Sequence, residues 1–174
     1  MKCKRLPVTL LFVFVCSLLY AQENAKIGIS GTLQGSQFGV QVPIWVGDKV
    51  SVAPAFEFKY AEKVGTDIGF ALAPRFYFQK KTISPYIGAR VGALINVPYS
   101  DPNMSTFNSD EEDSTYDFLG GLAFGGEYFV GEKFSFGVEV QTNLTKSDPE
   151  SDRFGNPGKI NINTGTMLSA TIYF

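Results

Sequence analysis

From Ala25 onward the chain alternates apolar residues with small or polar ones in eight successive runs, and the phase of the alternation survives the turns between them. Period two is the mark of a β-strand with two unlike faces. No stretch carries a competing helical period, so the fold is restricted to the all-β class. The last run shows it most cleanly: counting back from Phe174, Ile172, Ala170, Leu168, Thr166, Thr164, Ile162 and Ile160 share one face. Tyr173, Thr171, Ser169, Met167, Gly165, Asn163 and Asn161 share the other. With no proline and no charge after Lys159, this run is longer than a typical soluble strand and suits a tilted bilayer crossing.

Turn chemistry divides the remaining runs. Gln34-Gly35-Ser36-Gln37 joins the first two as a hairpin with glycine at the first central position. Val46-Gly47-Asp48-Lys49-Val50 leads into the third, and Val130-Gly131-Glu132-Lys133-Phe134 repeats that turn between the sixth and seventh. Phase retention is informative because a slip of one residue would turn every apolar side chain to the opposite face. Gln79-Lys80-Lys81-Thr82 connects the fourth and fifth runs, whereas Asn96 to Ser114 and Ser147 to Gly158 are longer, polar and irregular. Pro43, Pro54, Pro74 and Pro85 fall inside runs and are read as bulges or strand ends. An even number of runs lets the first and last pair antiparallel and shut an up-and-down sheet.

The less apolar face decides what surrounds this sheet. It is dominated by Gly and Ala, which suit a narrow interior rather than a wet surface. The charges on it carry both signs: Glu57, Lys59, Asp67, Arg75, Arg90, Asp117, Glu127 and Glu139. Glu57, Lys59, Arg75, Arg90, Glu127 and Glu139 are placed near the middle of the wall, where a charge facing lipid would cost about 2 to 4 kcal/mol. All six are therefore expected to point inward, with Arg75 and Arg90 bridging Glu57, Glu127 and Glu139, and Gln41 filling remaining hydrogen bonds. Trp45, Tyr60, Tyr77, Phe78, Tyr86, Tyr116, Phe118, Tyr128, Phe129, Tyr173 and Phe174 lie near strand ends and are read as interfacial aromatic girdles.

Lys2, Lys4 and Arg5 precede an apolar run from Leu6 to Leu19, with a cleavage point after Ala21. This has the layout of a secretory signal peptide, and a run of this length is short of the ~20 residues a spanning helix needs. The domain reading is residues 1–21 as signal peptide and 22–174 as barrel. Cys3 and Cys16, the only two cysteines, fall in the leader, and phenylalanine and valine before Cys16 do not suit a lipoprotein site. Of fifteen basic residues three lie in the leader, which leaves twelve against seventeen acids, a mature charge of −5. That balance argues against a nucleic-acid partner.

With an export signal, eight alternating runs, short turns on one side, longer loops on the other and a terminal Leu168-Ser169-Ala170-Thr171-Ile172-Tyr173-Phe174, the chain resembles the small OmpA/OmpX-like outer-membrane β-barrels of Gram-negative bacteria. The fold implied is an eight-stranded antiparallel up-and-down transmembrane β-barrel, preceded by the cleavable signal peptide. The resemblance implies a periplasmic position for the Gly47, Lys80 and Gly131 turns and an extracellular one for the Asn96 and Ser147 loops. It also implies outer-membrane lipid and lipopolysaccharide as surroundings. Leu168, Ala170, Ile172, Tyr173 and Phe174 are then the signal read by the barrel-assembly machinery.

The chain has no histidine, and no cysteine outside the leader, which argues against Ser-His or Cys-His catalysis and against histidine metal clusters. Glu127 and Glu139 form a carboxylate pair whose structural use is favoured over acid–base chemistry. Ser109 to Asp113 offers oxygen ligands of the kind Ca²⁺ takes, but such an acidic run reads first as a solvated loop tip. The expectation is a non-enzymatic barrel without cofactor or metal, its lumen filled by side chains and its loops serving a structural or surface-interaction role. A narrow solute or ion channel and an accessory subunit of an envelope or secretion complex are the alternatives. The external partner is left open.

Overall fold

The computed structural model describes residues 26–35, 37–62, 65–99 and 114–174. The leader, its two cysteines and the acidic run at 109–113 lie outside the described residues. Nine strand segments follow in order: β1 (Gly28–Gln34), β2 (Gln37–Gln41), β3 (Ile44–Trp45), β4 (Val50–Ala61), β5 (Gly65–Tyr77), β6 (Ile83–Pro98), β7 (Thr115–Val130), β8 (Phe134–Lys146) and β9 (Ile160–Tyr173). Consecutive segments pair antiparallel except β2 and β3, which both pair with β4, and β1 pairs with β9, so the sheet closes on itself. Closure leaves no exposed sheet edge among the described residues.

Segments β2 and β3 are two parts of one barrel strand, which gives the wall eight. Gln41 opposes Ala55 and Ile44 opposes Val52, so the register runs unbroken across Val42 and Pro43. Of the two readings of these prolines, the bulge is corrected, while Pro43 lies between the ends of β2 and β3 and Pro85 near the start of β6. Registers also continue through Pro54, Pro74 and Pro85. The reason is that a proline loses only its donor: the carbonyls of Pro43, Pro54 and Pro85 still accept from the backbone N–H groups of Gly28, Val42 and Phe78 at 2.8, 2.9 and 3.0 Å.

The two related turns at Gly47 and Gly131 are placed alike. The Lys49 carbonyl accepts from the Tyr77 N–H and the Lys133 carbonyl from the Tyr173 N–H, each at 2.8 Å. Gly131 has φ +70°, a conformation glycine adopts without steric cost. These turns and the Lys80 connection define one end of the barrel, called here the turn end; the end of β6 at Pro98, the start of β7 at Thr115 and the 147–159 segment define the loop end.

Polarity is inverted relative to a water-soluble barrel. Phe38, Leu122 and Ile162 are 72%, 67% and 72% exposed, and Phe56, Phe70, Phe124, Val138 and Leu168 share their outward face. Arg75, Arg90, Asp117, Glu127, Glu139 and Gln141 are buried on the inside. An apolar wall of this extent is stable only against another apolar medium, so lipid is its solvent.

Candidate functional site

The lumen gathers the buried polar and charged side chains, and it is filled at three levels. Deepest toward the turn end, Trp45, Tyr77, Tyr86 and Tyr173 form a buried aromatic cluster with Phe129 packed on it. Ring centroids of Trp45 and Tyr77 are 4.6 Å apart and those of Tyr77 and Tyr86 are 5.0 Å apart. Glu127 sits among them: Tyr77 and Tyr173 each donate a hydroxyl to it at 2.7 Å, and Ser135 Oγ donates a third bond.

This overturns two readings. Trp45, Tyr77, Tyr86 and Tyr173 are lumen residues, not parts of an outer girdle, because alternation places each on the inward phase: Tyr77 with Arg75, Tyr86 with Arg90, Tyr173 with Thr171. Tyr60, Phe78, Tyr116, Phe118, Tyr128 and Phe174 do face outward. Glu127, in turn, is not bridged by arginine among the described residues. It lies on the layer of the tyrosines, and its partners are hydroxyls.

The middle level carries two ion pairs. Arg75 donates to Glu139 through Nε at 3.1 Å, with Nη2 at 3.0 Å from the same oxygen, and donates to Gln41 Oε1 at 3.1 Å. The guanidinium lies 4.9 Å from the centre of the Tyr86 ring. Glu139 is further satisfied by the Tyr86 hydroxyl at 2.7 Å and Gln141 Nε2 at 2.6 Å. Arg90 pairs with Glu57 and donates to Gln34 and Gln141 at 3.2 and 3.3 Å. Such pairs are tolerated away from water because each charge meets an opposite charge and further hydrogen bonds.

Glycines make room for this network. The residues paired with Glu57 on either side are Gly39 and Gly69, and a Cβ on them would come within 3.0 and 3.2 Å of its side chain. A Cβ on Gly125 would meet the Tyr86 ring and hydroxyl at 2.6 Å, so Tyr86 reaches Glu139 only across a glycine. Lys59 departs from expectation. It keeps the inward phase, but it pairs with Asp67 two rungs from the strand end and is exposed, outside the ion pairs. At the mouth an ammonium stays hydrated without a partner.

At the loop end the 147–159 segment folds over the mouth. Arg153 donates to Asp67 on β5 at 2.8 Å and through Nε to Asp117 on β7 at 3.1 Å. Asp117 also accepts from the Asp148 N–H and the Ser151 hydroxyl, both at 3.0 Å. Asn96 donates to Asp67 at 2.8 Å. Sequence reasoning missed Arg153 because nothing in an irregular loop announces which strands it will reach. Tyr77, Tyr86 and Tyr173 were recoverable from parity alone.

On β9, Leu168, Ala170 and Ile172 face outward beside Leu33, Gly31 and Ile29 of β1, while Tyr173 turns inward. The Phe174 N–H donates to the Ile27 carbonyl at 2.8 Å. Among the described residues no group of three or more His, Cys, Asp or Glu side chains assembles as a metal site.

No family model matches this sequence, and no curated protein matches it. Solved structures do. The N-terminal β-barrel domain of Pseudomonas aeruginosa OprF is similar, with a TM-score of 0.57 and 14% identity over 86% of this chain and 96% of that one. Neisserial surface protein A is similar with a TM-score of 0.51 and 14% identity over 86% of this chain and 92% of that one. The fold is that of the small eight-stranded outer-membrane β-barrels.

Proposed function

We propose that the protein is a non-enzymatic integral barrel of the bacterial outer membrane, closed to solutes, whose rigid wall presents its loop end to the outside for a structural or surface-interaction role. The observation that carries this reading is the filled axis: an aromatic layer, a layer of ion pairs and the Arg153 clamp occupy it in succession. Eight strands enclose little more space than side chains need. The clamp also ties the 147–159 loop to β5 and β7, which suits a recognition surface held by a scaffold.

Under this proposal residues 1–21 are a signal peptide and 22–174 the barrel. Lipid and lipopolysaccharide surround the wall, and the assembly machinery reads Leu168, Ala170, Ile172, Tyr173 and Phe174. Two measurements test it. Purified protein in a planar bilayer is expected to give no conductance steps; regular steps would overturn the closed barrel. An Asp152→Cys variant is expected to react with a membrane-impermeant maleimide on intact cells; protection until lysis would overturn the outward position of the loop.

A further inference from the structure

The opposite end of the molecule holds a concave pocket of about 270 Å³. Its floor is aromatic: Trp45 and Tyr173 are each 3% exposed, and Phe129 stacks on Tyr173 with centroids 5.8 Å apart. Around it stand Lys26, from the segment before β1, and Lys80 and Lys81, from the β5–β6 connection. Glu132 is the single acid among the lining residues. None of the three lysines belongs to the ion pairs formed among the described residues.

Lys80 is already oriented toward the floor, its Nζ 3.9 Å from the centre of the Trp45 ring. An ammonium over an indole face is held there by the ring quadrupole. Desolvation in this position, and after it the charge of Lys26, holds the Lys80 pKa below the ordinary lysine value, while Asp48 and Glu127 act in the opposite sense. Like charges gathered at a concave surface raise the local potential and favour an anion between them. Separate ammonium groups are compact point charges with rotatable donors, which suits the several oxygens of a phosphate.

We propose that this pocket binds a phosphate group carried on a small polar moiety, of the size of a glycerophosphate. The lysines take the phosphate oxygens, and the aromatic floor takes the carbon-bearing part. Phe76 and Phe78, the outward residues just before the Lys80 connection, are 47% and 51% exposed on the lipid face. A membrane headgroup and a soluble phosphate ester are thus two sources of the same chemistry.

Trp45 is the only tryptophan of the chain, so its fluorescence reports on this pocket directly. The full protein in a phosphate-free maltoside micelle is titrated with sn-glycerol 3-phosphate, with glycerol as blank, and in a parallel arm with short-chain phosphatidylglycerol. A saturable Trp45 response is expected, weakened on the order of tenfold by Lys80→Gln and by Lys26→Gln, the loss of one charge-assisted bond in each. Both lysines are exposed, so folding is unaffected, and a heat-modifiability gel verifies it. A response to glycerophosphate supports the site with a soluble source, and a response to the phospholipid alone supports it with a membrane source. No response in either arm, a response equal to the glycerol blank, or one that survives Lys26→Gln combined with Lys80→Gln overturns the proposal.

Discussion

Arg75 on β5 and Glu139 on β8 meet inside the barrel at 3.0 Å, although β6 and β7 separate their strands along the wall. The contact is a strut across the axis, joining parts of the sheet that share no ladder hydrogen bonds. Truncating one partner leaves the other charge buried without its counter-charge. Arg75→Leu is expected to lower the unfolding free energy by about 3 to 5 kcal/mol, read from the urea midpoint in micelles. Adding Glu139→Leu is expected to return only part of that loss, because the stranded carboxylate goes with it while the Tyr86 hydroxyl and the Gln141 amide lose their acceptor. A single variant as stable as the parent would show that the strut contributes nothing.

Glu127 depends on hydroxyls instead of a cation, which sets a different test. Tyr77→Phe and Tyr173→Phe keep the ring and remove one donor each, so each is expected to cost about 1.5 to 3 kcal/mol. Both donors serve one carboxylate, so the double variant is expected to depart from additivity by at least about 0.5 kcal/mol in a double-mutant cycle. Additive losses would mean that the two tyrosines act as independent packing residues.

How much of this was legible in the sequence follows from which contacts are local. Alternation along Phe134–Lys146 and Ile160–Tyr173 gave strand and face together, because the side-chain period acts within one strand, while closure followed from the even number of runs. The same period assigns Tyr77, Tyr86 and Tyr173 to the lumen; reading them as girdle residues weighed their position near strand ends above their phase. Which acid meets which arginine was only partly legible. Arg75 with Glu139 and Arg90 with Glu57 fit the expected bridging, yet Glu127 falls a layer below the guanidinium groups and Lys59 a few rungs above them. Height along the axis depends on strand tilt and stagger, which no single strand encodes. Arg153 shows the limit: its partners Asp67 and Asp117 are 86 and 36 residues away in sequence.

The Arg153 clamp holds a loop against the mouth rather than the wall against itself, so loop and barrel respond separately to its removal. Arg153→Ala is expected to raise the rate of chymotrypsin cleavage at Phe154 on the order of tenfold, as about 1.4 kcal/mol of loop anchoring is lost. The urea midpoint of the barrel is expected to move less than in Arg75→Leu, because an opened loop leaves the Asp117 carboxylate at the mouth within reach of water. Unchanged cleavage would show that the loop is held by its backbone bonds, such as the Gly158 N–H to the Asp148 carbonyl at 2.9 Å.

Glycine on both sides of Glu57 is a requirement of volume. Gly69→Val brings side-chain bulk against both Glu57 and Leu94 and is expected to cost about 1 to 3 kcal/mol in the same urea assay. Gly120→Val faces outward with nothing within 4 Å and is expected to be near neutral. Equal effects at the two positions would contradict the assignment of inner and outer faces.

That assignment is tested most directly by asking what surrounds the mid-wall residue Leu122. In a Trp45→Phe background, Leu122→Trp carries the only indole, and the protein is reconstituted in vesicles whose acyl chains are brominated. Strong quenching by the bromines with little quenching by aqueous acrylamide is the expected result. Quenching by acrylamide and none by brominated chains would contradict a barrel whose greasy face is solvated by lipid.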